Sequence, residues 1–107
     1  MAKQPMPKDT VLQVQQRSRG RCERCLLPAP KGVLHHRQPR GMGGSTDVPH
    51  APANVMLLHD SCHRWLHAHP QRAYQEGLLV KHGTDPATVP VLTSQGLMFL
   101  SGQNLPD

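Results

Sequence analysis

Cys22-x-x-Cys25 and His59-x-x-Cys62 set two pairs of soft or borderline ligands at the same spacing, and no other feature constrains the fold of this chain as much. Such a set has the composition of a closed structural zinc site, in which the protein ligands leave no position for a substrate. The need for a staple follows from size. At 107 residues the chain is read as one small domain, which buries a modest fraction of its surface. Trp65, Tyr74 and Phe99 are its large rings for a core. Bound zinc contributes roughly 10 kcal/mol or more of folding free energy in small modules. Three cysteines cannot all pair as disulfides, and no apolar stretch near Met1 has the form of a signal peptide. Metal binding in a reducing cytoplasm is therefore expected. Taken alone, Cys22-x-x-Cys25 also has the form of a redox pair, but no thioredoxin-like βαβ pattern surrounds it.

A formal net charge of +5 with neutral histidines suits a polyanionic partner. A basic surface that serves only solubility is the duller reading. No apolar run is long enough to span a membrane, and no internal repeat is present.

Residues 1–8 form a basic, proline-containing arm. Asp9 or Thr10 can cap a helix carrying Val11, Leu12 and Val14, with Gly20 placed to end it. A turn through residues 26–32 leads to a short strand, Val33 and Leu34, that ends at His35-His36. Residues 37–53 are a polar loop rich in glycine and proline, and it lacks the Gly-Lys-Ser/Thr ending of a phosphate-cradling loop. Residues 54–58 are apolar enough for a second strand. Asp60 or Ser61 can cap a helix to about His67, and a further helix can start at Pro70 and stop before Gly77. Residues 89–92 and 97–100, joined by Thr93-Ser94-Gln95-Gly96, predict an appended hairpin.

A second constellation fills the gaps in the first. His63 and His67 stand four apart, so a helix turns both rings to one face within reach of one ion. Adjacent strand residues point to opposite faces, so His35 and His36 can serve one cleft only where the strand ends or twists away. Neutral imidazoles leave ligand positions open, and open metal sites do chemistry. A histidine titrating near 6.5 can act as a base at neutral pH. Against this, His67 also suits a surface helix and Asn54 the start of a strand. His50, His69 and His82 are expected to be solvated, and Trp65 to pack against the hairpin.

Strand, long loop, strand and helix, with His35-His36 on the first strand, Asn54 at the second and His63 in the helix, resemble the ββα-metal fold of HNH endonucleases over residues 19–79. The knuckle framing the site is similar to phage and bacterial HNH proteins, and the helix histidine pair to colicin-type DNases. The proline-rich run at residues 85–91 looks like the tails of actinobacterial phage HNH proteins. The resemblance implies an α+β fold: a ββα-metal (His-Me finger) domain at residues 9–79 with a structural zinc knuckle and an N-terminal helix, and a hairpin extension at residues 80–107.

By the same resemblance His35, His63 and His67 bind a catalytic divalent ion, His36 is the general base, and Asn54 orients it. His59 stands where the family usually has cysteine, which leaves a three-ligand site or a non-ligand His59 as the alternative, but zinc accepts Cys3His, which favours the full knuckle. The implied function is metal-dependent hydrolysis of DNA phosphodiester bonds, by nicking or double-strand cleavage, through a single-metal mechanism. The implied cofactors are structural Zn²⁺ and a divalent ion, for which imidazole donors favour Mn²⁺, Co²⁺, Ni²⁺ or Zn²⁺ over Mg²⁺. DNA is the implied partner, with phage packaging proteins as candidates beside it. Lys31, Arg37, Arg40 and Arg64, with Arg72, are candidate phosphate contacts. The alternative function is a non-catalytic zinc-knuckle module that holds nucleic acid, and a redox or metal-sensing protein is a third. The His35-His36 doublet discriminates, because a binding module has no need for a base beside an open metal site.

Overall fold

The computed structural model describes residues 6–38 and 51–100. Helix α1, Lys8–Ser18, begins earlier than Asp9 or Thr10 could cap it. Pro7 takes the cap position, and its carbonyl accepts from Val11 N at 3.1 Å. Asp9 then falls in the first turn, where it favours the helix dipole. Arg19 and Gly20 close the helix with φ of 56° and 74°, the left-handed conformation that suits a C-terminus.

Strands β1, Val33–His36, and β2, Val55–Leu58, pair antiparallel with Val33 opposite Leu58 and His36 opposite Val55. Every β2 residue is buried, so both faces of the strand are covered, by α1 and by α2. Asn54, expected to start β2, instead ends a 3₁₀ turn, Pro52–Asn54. Helix α2 spans Asp60–Ala68 and α3 spans Pro70–Gln75 with proline in its first turn. His59, not Asp60 or Ser61, occupies the α2 cap position, and its side chain does not cap the helix. Its ring is engaged at the cysteines instead. The succession β1–β2–α2 is the ββα unit of a small mixed domain.

A buried ion pair joins α1 to this unit. Arg17 donates to both carboxylate oxygens of Glu23 at 2.7 and 2.8 Å, and also to the Pro52 and Val55 carbonyls. Glu23 in turn accepts from Leu57 N at 3.0 Å, so helix, knuckle and strand share one charged node.

Beyond α3, Gly77 adopts φ +78°, and a Cβ there would stand 2.0 Å from the Pro90 carbonyl oxygen, so only glycine fits. Strands β3, Val91–Thr93, and β4, Gly96–Met98, form the C-terminal hairpin; β3 starts later, and β4 ends earlier, than the apolar runs predict. Ser94 at its tip binds the Arg24 and Cys25 carbonyls, docking the hairpin on the knuckle. Leu78, Val91 and Leu100 join Val14, Val55, Met56 and Leu66 in one core. Among the described residues no helix is long and apolar enough to cross a membrane. Most of the basic arm, Arg40, His50 and most of the 37–53 loop lie outside the described residues.

Candidate metal centres and catalytic residues

The Cys22–Cys25 segment folds back on itself. Leu26 N donates to the Cys22 carbonyl at 2.8 Å, Cys22 N donates to the Leu27 carbonyl at 2.9 Å, and Leu26 takes a left-handed φ of 67° to allow both. The start of α2 brings His59 and Cys62 alongside. The ligand atoms of Cys22, Cys25, His59 and Cys62 all lie within 4.8 Å of one another. His59 Nε2 is 2.8 Å from the Pro28 carbonyl, which can only accept, so the proton sits on Nε2. Nδ1 is left with a lone pair, 3.1 Å from Cys25 Sγ. Burial raises the Cys22 thiol, but backbone hydrogen bonds from Cys25, His59 and Arg24 outweigh it and bring the pKa down to about 7. Burial pushes Cys62 up to about 11, against the Arg24 guanidinium that donates to its sulfur at 3.6 Å. Such a Cys3His set fits zinc, whose charge holds crowded thiolates ionised.

The second cluster joins β1 to the other face of α2. His35, His63 and His67 offer ligand atoms within 4.8 Å of one another, and the Nε2 atoms of His63 and His67 stand 3.1 Å apart. The rings meet edge to face, with centroids 4.6 to 5.9 Å apart. His35 is 4% exposed while His67 is open to solvent, so the cluster is closed at the sheet and accessible at the helix. Burial brings the His35 pKa down to about 4, even though the Leu78 carbonyl accepts from its ring. Burial also lowers His63. All-neutral imidazoles are the form that binds a divalent cation.

His36 follows on the alternate face of β1, half-buried, with its Nε2 shielded from solvent. Asn54 is fully buried and grips the chain just after it. Its Oδ1 accepts from Gln38 N at 2.8 Å, its Nδ2 donates to the Gln38 carbonyl at 3.4 Å, and its own carbonyl accepts from Arg37 N at 2.8 Å. His36 and Asn54 are thus linked through the backbone of residues 36–38.

Arg37, expected at DNA phosphates, requires correction. The residue is 0% exposed, and its guanidinium donates to the Gly77, Ala53, Pro86 and Val89 carbonyls at 2.6 to 3.1 Å. Burial lowers its pKa to about 10, which leaves it charged at neutral pH, and none of its surface is open to a phosphate. Arg64, 75% exposed on α2, pairs with Asp60 at 3.1 Å, and Lys31 is exposed before β1. Arg72 is also exposed and pairs with Glu76.

Trp65 lies 4.2 Å beneath the Arg24 guanidinium and stacks on His69 with ring centroids 4.8 Å apart. His69 and His82 are exposed and outside both clusters. Sequence reasoning missed Arg24 and Gln38. Arg24 sits inside the Cys-x-x-Cys spacing, which could have flagged it as a neighbour of the thiols, whereas Gln38 carries no comparable signal.

No curated protein and no solved structure matches this chain. The family model described as HNH endonuclease does match, over residues 22–69. That span opens at the first knuckle cysteine, includes β1, β2 and α2, and contains every member of both clusters. Over residues 22–69, just under half of its length, the chain is similar to the HNH endonuclease family.

Proposed function

We propose that this protein is a metal-dependent endonuclease that hydrolyses DNA phosphodiester bonds with His36 as general base. The observation that carries the reading is the convergence of His35, His63 and His67 on one half-open position, with His36 next in the chain and Asn54 bracing the backbone after it. The knuckle of Cys22, Cys25, His59 and Cys62 is the structural zinc site.

Each residue has a distinct task. His35, His63 and His67 would hold the divalent ion, and their imidazoles favour Mn²⁺, Co²⁺, Ni²⁺ or Zn²⁺ over Mg²⁺. When bound, such an ion offsets charge on the transferring phosphate and on the departing oxygen. His36 accepts a proton from the attacking water at a ring nitrogen. Asn54 keeps the peptide after His36 in register, so the base meets the water in one orientation. Arg64 and Lys31, on the surface of a chain of net charge +5, attract the phosphate backbone.

The experiment is plasmid nicking by purified protein titrated with Mn²⁺, Ni²⁺, Co²⁺, Zn²⁺ or Mg²⁺. Nicking that depends on added ion and stops with a chelator is the expected result. DNA binding without cleavage under every ion would instead identify a zinc-knuckle binding module.

A further inference from the structure

The exit of β1 is held by chain that lies beyond the family-matched residues. On one side of His36, the His35 ring donates from Nε2 to the Leu78 carbonyl at 2.8 Å. On the other side, the Arg37 carbonyl accepts from Val80 N at 2.9 Å, and the Arg37 guanidinium reaches the Gly77, Pro86 and Val89 carbonyls. Gln38 Nε2 donates to the Lys81 carbonyl at 2.7 Å and to the Thr84 carbonyl at 2.9 Å. Residues 35, 37 and 38 thus all hang on residues 77–89, whereas the family match ends at residue 69.

Gln38 is the point at which this clamp can be opened without touching His36. Its backbone belongs to Asn54, through the 2.8 Å bond from Gln38 N to Asn54 Oδ1. Its buried side chain belongs to the turn at residues 81–84. The peptide that follows His36 is therefore pinned from two directions. With the side-chain anchor gone, Gln38 itself is held by Asn54 alone while Arg37 keeps its own bonds, and a displacement of about 1 Å at a reacting group costs on the order of 100-fold in rate.

We propose that Gln38 is a positioning residue for DNA hydrolysis, which clamps the exit of β1 to the 81–84 turn and so holds His36 in its reactive orientation. The role rests on the reading of His36 as general base. It also makes the C-terminal segment a working part of the catalytic site.

Gln38→Met keeps the length and bulk of the side chain and deletes its donors. The test measures single-turnover plasmid nicking at saturating Mn²⁺, together with DNA affinity and melting temperature, for wild type, Gln38→Met, His36→Ala and the double variant. Gln38→Met is expected to cut about 10- to 100-fold more slowly at unchanged DNA affinity. The double variant is expected to be no slower than His36→Ala alone, because a positioning effect then has nothing to act through. Should melting show Gln38→Met unfolded, Gln38→Ala, which admits water to the two carbonyls, supplies the same comparison. Wild-type cutting by the Gln38 variant overturns the proposal, and so does a double variant slower than His36→Ala by the full Gln38 factor. Wild-type cutting by His36→Ala is a separate outcome that removes the general-base reading and the positioning role together.

Discussion

His35 Nε2 donates to the carbonyl oxygen of Leu78 at 2.8 Å, so the proton of this buried imidazole is on Nε2 and its lone pair is on Nδ1. His59 is keyed in the same way by Pro28. In each candidate metal cluster, a backbone carbonyl thus selects which ring nitrogen of one histidine is free for a ligand bond, a common way to fix ligand orientation.

The buried His35 makes the fold sensitive to mild acid. Its pKa is lowered to about 4 from the ordinary 6.5, so as pH falls through 6.5 the unfolded chain takes up a proton that the folded chain refuses. Stability is complete above 6.5 and drops by roughly 1.4 kcal/mol for each pH unit below it, until the folded pKa is reached. Urea denaturation between pH 7.5 and about pH 5.5, without added divalent ion, measures the slope. His35→Gln retains a donor for Leu78 and does not titrate, so its slope should be shallower.

Arg37 is predicted to matter for stability and not for DNA affinity. Arg37→Met leaves the Gly77, Ala53, Pro86 and Val89 carbonyls without their donor and should cost about 3–5 kcal/mol. Arg37→Lys should fall between, since an ammonium cannot reach all four acceptors. Denaturant midpoints give the order. Arg64→Gln should do the reverse, leaving stability near wild type while reducing the slope of log affinity against log salt by about 1.

The knuckle should carry about one tightly held zinc per chain. Cys62→Ser, or a chelator strong enough to strip the ion, should unfold the domain, because a core with few aromatic side chains has little to replace it. Elemental analysis beside circular dichroism checks this, and a folded, zinc-free sample would remove the staple from the account.

The grouping of the two candidate ligand sets was legible in sequence because helix periodicity converts spacing into direction. Cys62 and Leu66 face inward, and His63 with His67 face the β1 histidine, as an i, i+4 pattern requires. The ββα order was legible from the apolar run at residues 55–58 and the histidine doublet before the loop. The α2 cap was not, because His59 occupies that position and its ring is used at the cysteines. Arg37 misled for a different reason: the acceptors that bury it are backbone carbonyls from residues 53, 77, 86 and 89, and carbonyls have no side-chain signature. The same holds for the Lys81 and Thr84 carbonyls that receive Gln38.

The division of labour between neighbouring rings is tested most directly by measuring Mn²⁺ affinity by calorimetry alongside plasmid nicking for His35→Ala, His36→Ala, His63→Ala and Asn54→Ala. His36→Ala should keep wild-type metal and DNA affinity and lose cleavage by about 100-fold or more. His35→Ala and His63→Ala should weaken the metal, so that excess Mn²⁺ partly restores cutting, and Asn54→Ala should lie between the two classes. Cleavage by His36→Ala at the wild-type rate, in protein free of contaminating nuclease, would contradict the account.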